Sequence, residues 1–306
     1  MNKKSLLKLR KLSIEELAKY YKEQRKEAIE EGIPLSEKSI RIRNKIHQLL
    51  LKIVIIDRLF NHETVTVLKD ERVKNNHPKV FACTHIGGND IQRTFEAIKD
   101  PAYLFLGDPQ ELYRNLEGLL LYLNGVICLE TRDKIDRGIA KKRSIELLEK
   151  GGNLLIYPEG AWNISPNLPV MKLYKGAVNI AVKTKADLIP IAIEQVENHF
   201  YVSIGKNIIT SDMENIDTNL LNQTLRDAMA TEKWHIWESV GVYSRDIVKD
   251  QTVDNYQQSI VKKCSYNFTL EDVLETMYKD PNEISHDEVF APIKKLHLHK
   301  NSLNSK

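Results

Sequence analysis

The chain has 306 residues, of which 42% are apolar, and a formal net charge of +3. That length suits one large domain or two small ones with a real core, and the near balance of charge makes no demand for a polyanionic partner. The three cysteines, Cys83, Cys128 and Cys264, are too few and too scattered for a disulfide framework, and no apolar run approaches the ~20 residues of a membrane span. No continuous apolar core precedes a cleavage site, so no secretory leader is expected.

The N-terminal end is basic, with nine Lys/Arg against three Glu in residues 1–26. Ser13 and Glu16 form a capping box, which predicts a helix over 13–31 that stops at Gly32-Ile33-Pro34. A second helix is predicted over 36–60. Its apolar residues Ile40, Ile46, Leu49, Leu50, Ile53, Ile56 and Leu59 recur near helical period beside Arg41, Arg43 and Lys45. Such a stripe fits either a membrane interface or a helix packed on the core.

From residue 64 the pattern alternates. Strands are predicted at 64–68, 79–84, 102–107, 125–130, 153–160, 187–194 and 199–205, and helices at 89–99, 110–123, 136–150 and 174–185. Short connections between them predict an α/β fold, a mostly parallel central sheet flanked by helices, with N-terminal helices and a helical C-terminal tail. Helices at 219–240 and 269–279 make up that tail. The expected division is 1–62, helical with a membrane-surface role; 63–210, the α/β domain; and 211–306, a helical extension. In "LIPIAIE" (188–194), Pro190 interrupts a strand-like run and predicts a sheet edge or bulge.

Two stretches carry chemistry. "FACTHIGGND" (81–90) ends a strand in His85 and places Asp90 at the start of the next helix. Asp90 can accept from one imidazole nitrogen and leave the other to take a proton from a hydroxyl, a general-base pair. Gly87 and Gly88 give a substrate close access to the backbone. "LLIYPEGAW" (154–162) delivers Glu159 and Gly160 to the C-terminal edge of the sheet, where open α/β folds place their sites. Each pattern alone is short enough to arise by chance.

Their order is more specific. From about Lys79 to Gly205 the chain resembles the glycerolipid acyltransferase superfamily, whose best-known members acylate glycerol 3-phosphate and lysophosphatidic acid. "HIGGND" (85–90) is similar to the family's H-x4-D block, "GVICLETRD" (125–133) to its second block and "YPEGAW" (157–162) to its third. "LYKGAVNIAV" (173–182) resembles the helix that follows, and "LIPIAI" (188–193) the fourth block. The resemblance implies acyl transfer from a thioester donor, acyl-CoA or acyl carrier protein, to an acceptor hydroxyl. His85 would be the base and Asp90 its partner, with no metal and no further cofactor. Glu159 and Gly160 would bind the acceptor, and Gly87, Gly88, Arg132, Trp162 and Lys175 would line its site.

The departures bear on the acceptor. The third block ordinarily ends Thr-Arg, and here reads Ala161-Trp162; Arg132 falls one residue late, behind Thr131. Indole cannot replace a guanidinium on phosphate, so the expected acceptor is an unphosphorylated glycan or sugar-lipid. The alternatives are a lysophosphatidic acid acyltransferase, in which Arg132, Lys172 or Lys175 takes the phosphate, and a non-catalytic lipid-binding member of the fold. A thioesterase using the same base on water is a further rival. The expected setting is cytoplasmic, peripheral at the inner face of a membrane.

Three further patterns are read as structural. Cys83 shares a strand face with His85 but is buried, "HLH" (297–299) lacks the companions of a metal site, and Trp234 and Trp237 sit at core-packing spacing. No nucleic-acid-binding pattern is present.

Overall fold

The computed structural model describes residues 9, 11–107, 113–165, 168–212, 217–241, 253–262 (side chains from 257) and 269–279. The basic residues of 1–8, Arg10, Cys264 and the "HLH" stretch lie outside the described residues.

Helices α1 (Ile14–Glu30) and α2 (Glu37–Phe60) lead into strand β1 (Thr64–Asp70). The capping box forms: Ser13 N–H donates to Glu16 Oε2 at 2.6 Å, and Glu16 N–H donates to Ser13 Oγ at 3.1 Å. β2 (Lys79–Cys83), α3 (Asp90–Ile98), β3 (Tyr103–Gly107), α4 (Leu116–Asn124), β4 (Val126–Leu129), α5 (Lys134–Glu149) and β5 (Leu154–Ile156) follow. Then come α6 (Gly176–Thr184), β6 (Asp187–Val196), β7 (His199–Ile204) and α7 (Thr218–Val240). The last elements are α8 (Val253–Lys262) and α9 (Leu270–Thr276).

The seven strands form one sheet in the order β1-β7-β6-β2-β5-β3-β4. All pairs are parallel except β6 with β7, a hairpin through Glu197, which adopts a left-handed φ of 53°. The mostly parallel sheet is as read from the sequence. Side chains alternate between its faces. Val80, Ala82, Leu154, Ile156 and Leu188 meet Leu147, Leu148, Ala177 and Ala181 of α5 and α6, with Leu225 and Met229 of α7. Phe81, Cys83, Leu155, Ile189 and Ile191 meet Phe95 and Ile98 of α3 and Leu51 of α2.

Three expectations change. Pro190 lies in β6, an interior strand, opposite Ala82 of β2. The strand is held around it without the missing N–H: Gly205 N–H donates to Pro190 O at 2.9 Å, and two residues earlier Leu188 exchanges bonds with Ile208. The strand over 153–160 is cut to Leu154–Ile156, because Pro158 and Gly160 turn the chain at once. The helix over 110–123 begins at Leu116, capped by Asn115 Oδ1, which accepts Gly118 N–H at 2.7 Å.

The stripe on α2 splits. Ile40, His47 and Leu51 are buried, whereas Leu49 (60% exposed), Ile53 (42%) and Ile56 (52%) face outward. Below that outer face α2 is bolted to α3. The fully buried Arg93 of α3 donates to Val54 O at 3.1 Å and Asp57 Oδ2 at 2.6 Å, and also to Glu63 Oε2 at 2.7 Å. Arg58 of α2 donates to Glu96 of α3 at 2.8 Å.

Candidate active site

β2 and β5 are adjacent and parallel, so the segments leaving their C-terminal ends, 84–90 and 157–162, run side by side. The two segments are tied together. His85 N–H donates to Glu159 Oε1 at 3.0 Å, and Asn163 N–H donates to His85 O at 2.7 Å. The backbone of His85 is therefore fixed at both its N–H and its C=O.

Asp90 is the first residue of α3 and is fully buried. Its Oδ2 lies 2.7 Å from His85 Nδ1 and accepts the N–H groups of Ile86 at 2.8 Å and Gly87 at 2.9 Å. An oxygen that already accepts two donors is an acceptor toward the ring as well, so the imidazole proton sits on Nδ1. Nε2 is left for a substrate. The loop can fold this tightly because Gly87 (φ +85°) and Gly88 (φ +63°) adopt left-handed backbone.

The His85 ring rests on Tyr157, centroids 4.3 Å apart, and the Trp162 ring stands edge-on to it at 6.2 Å. Tyr157 Oη donates to Thr94 Oγ1 at 3.1 Å, and Cys83 Sγ lies 3.6 Å from the same oxygen. Burial pushes both the Tyr157 phenol and the Cys83 thiol well up from their ordinary values, so neither supplies an anion here. The His85 side chain keeps 14% of its surface exposed, a narrow window on the solvent side.

The other expected site residues separate. Glu159 has no exposed surface, and its second oxygen accepts Met171 N–H at 2.8 Å. It clamps two loops, with each carboxylate oxygen taken by a backbone donor. Burial raises its pKa, and the two N–H donors pull it part of the way back. Gly160 is in a left-handed turn (φ +73°) where a Cβ would strike the Tyr174 ring, so it serves the turn. Lys175 is exposed at the N-cap of α6 and donates to Asn219. Arg132 is exposed in the β4–α5 connection and pairs with Glu275 of α9. Trp162 is half-buried beside His85, and Trp234, expected in the core, is 49% exposed.

Sequence reasoning missed the role of the C-terminal helices. Ile260 of α8 and Val273 of α9 pack with Ala161, Ile164 and Met171 into a third apolar cluster, against which Trp162 lies. Tyr174 Oη donates to Thr276 O at 2.9 Å and fastens α9 to the same loop. Helical period was visible in α9, but its docking place was not.

Comparison with known proteins finds acyltransferases. Residues 64–194 match the family model described as Acyltransferase. The chain is 30% identical over 91 residues to a 1-acyl-sn-glycerol-3-phosphate acyltransferase of Borreliella burgdorferi, covering 30% of this chain and 34% of that protein. It is 24% identical over 152 residues to the chloroplastic 1-acyl-sn-glycerol-3-phosphate acyltransferase LPAT1 of Arabidopsis thaliana, covering 49% and 42%. The chain thus spans less than half the length of these curated relatives. Among solved structures, the 1-acyl-sn-glycerophosphate acyltransferase PlsC of Thermotoga maritima has the same fold, with a TM-score of 0.52 at 18% identity over 66% of this chain and 83% of that one.

Proposed function

Residues 64–194 belong to the glycerolipid acyltransferase superfamily, and from that premise we propose that the chain transfers an acyl group from a thioester to an acceptor hydroxyl at His85. The observation that carries the reading is the pair of His85 Nδ1 and Asp90 Oδ2, 2.7 Å apart at the C-terminal edge of the sheet. Nε2 takes the acceptor proton as the acceptor oxygen attacks the thioester carbonyl. The tetrahedral intermediate then expels the thiolate, which leaves as the thiol by taking the proton back from the imidazolium. Asp90 holds the ring in the tautomer that exposes Nε2 and stabilises the cation between the two steps. No acyl-enzyme is required, and Cys83 takes no part.

The names of the relatives support a lysophosphatidic acid acceptor over the unphosphorylated glycan expected from Trp162. Acyl-CoA and acyl carrier protein both fit the donor role. On this reading the reaction runs at the inner, cytoplasmic face of a membrane. The outward residues of α2, with Leu116 (71% exposed), Leu119 and Tyr122 of α4, offer an apolar face to lipid, since α2 and α4 pack together. No helix among the described residues is long and apolar enough to cross a bilayer.

The test is thiol release from acyl-CoA and acyl carrier protein by wild type and His85→Ala, with lysophosphatidic acid, glycerol 3-phosphate or an unphosphorylated sugar-lipid as acceptor. Release that depends on lysophosphatidic acid and disappears in His85→Ala supports the proposal. Release independent of any acceptor would indicate a thioesterase and overturn it.

A further inference from the structure

The acyltransferase match ends at residue 194, yet the structure brings a helix from beyond residue 250 against the glycine loop that follows His85. Ile260 of α8 is 4% exposed and points at the loop that holds the base. A methyl group added to Gly87 would lie 3.4 Å from Ile260 Cγ2 and 3.5 Å from the Trp162 ring. Gly87 donates its N–H to the oxygen of Asp90 that fixes His85, so this contact is one residue pair away from the reacting nitrogen. We propose that Ile260, together with Trp162, is the wall that limits the size of the acceptor headgroup admitted to His85. The proposal rests on the acyl-transfer reading and adds a specificity determinant to it.

The physical argument is one of shape and wetting. The roof over Gly87 is two hydrocarbon surfaces, an isoleucine and an indole. On the proposed reading, a bulkier headgroup entering beside Gly87 displaces one of them or leaves hydrated polar atoms against them, and both are costly. A small headgroup need not meet the roof. The roof is also held in place: Gln257 Nε2 donates to Ile164 O at 3.4 Å, Tyr174 Oη to Thr276 O at 2.9 Å, and Arg132 pairs with Glu275. Movement of Ile260 away from Gly87 is resisted from both ends of the α8–α9 unit.

The experiment uses the full chain with one acyl thioester and two acceptors, lysophosphatidic acid and a lysophospholipid whose phosphate carries an added glycerol. The readout is the ratio of the two kcat/KM values in wild type, Ile260→Ala, Ile260→Val and Ile260→Phe. Loss of side-chain volume is expected to raise the ratio in favour of the larger acceptor, by about tenfold for Ile260→Ala and less for Ile260→Val. Ile260→Phe is expected to lower it. A residue that only packs would move both acceptors together and leave the ratio flat, and a flat ratio in all three variants overturns the proposal. Ile260→Val keeps the test informative where Ile260→Ala unfolds. Wild-type transfer to neither acceptor would overturn the lysophosphatidic acid reading and this one with it, whereas transfer with a flat ratio removes this one alone.

Discussion

One carboxylate oxygen of Asp90 holds three donors of the neighbouring loop: the Nδ1–H of His85 and the backbone N–H groups of Ile86 and Gly87. The residue that orients the His85 ring therefore also builds the loop that carries it. His85→Ala and Asp90→Ala should separate these roles. The first is expected to lower kcat about 10²–10⁴-fold with the melting temperature nearly unchanged. The second should lose activity and also stability, since the buried N–H of Gly87 is stranded at about 1–3 kcal/mol and the part-buried N–H of Ile86 loses its acceptor too. Equal melting temperatures for the two variants in a thermal scan would contradict the looping role of Asp90.

Glu159 predicts a pH dependence of stability. Its folded pKa is raised by burial, so the folded state binds the proton more tightly than the unfolded chain. The contribution is fully present below the ordinary carboxylate value of 4.5 and is lost as pH rises through the raised folded value. Glu159→Gln has no such proton to lose. Wild-type stability measured by urea unfolding should therefore fall relative to Glu159→Gln as pH is raised from about 4. The variant should also turn over more slowly, because an amide cannot accept both the His85 and the Met171 N–H.

Cys83 predicts an absence of reactivity. It is fully buried and its thiol is pushed up, so alkylation of the native chain followed by peptide mapping should leave Cys83 unmodified at neutral pH while denatured protein is labelled. Cys83→Ala should retain acyl transfer. Activity lost on mild alkylation, with Cys83 as the modified residue, would return it to the mechanism.

The outer face of α2 predicts binding to lipid. Leu49, Ile53 and Ile56 are exposed, so changing all three to serine should cost little folding stability but sharply reduce flotation with anionic liposomes. Unchanged flotation would shift the lipid contact elsewhere.

The alternation of strands and helices was legible because burial imposes period two on strands and near 3.6 on helices, and Ser13 with Glu16 marked its helix start within a few residues. The H-x4-D pair was legible for the same local reason: five residues and a turn suffice to join His85 to Asp90. The role of Glu159 was hidden because its partners, His85 N–H and Met171 N–H, come from different loops. Pro190 misled because a strand's place in the sheet depends on pairings with distant segments. On α2, periodicity identified an apolar stripe, but which part of it a neighbour covers is decided by α3 and α4.

Arg93 gives the N-terminal helices a mechanical meaning. Its guanidinium joins two groups of α2 to the helix that begins with Asp90, and Arg58 adds a second rivet through Glu96. A load borne on the outer face of α2 is carried through these joints to the frame that sets the imidazole. The two helices are thereby held as one unit, and a displacement of α2 would be passed to the helix whose first residue, Asp90, fixes the His85 ring.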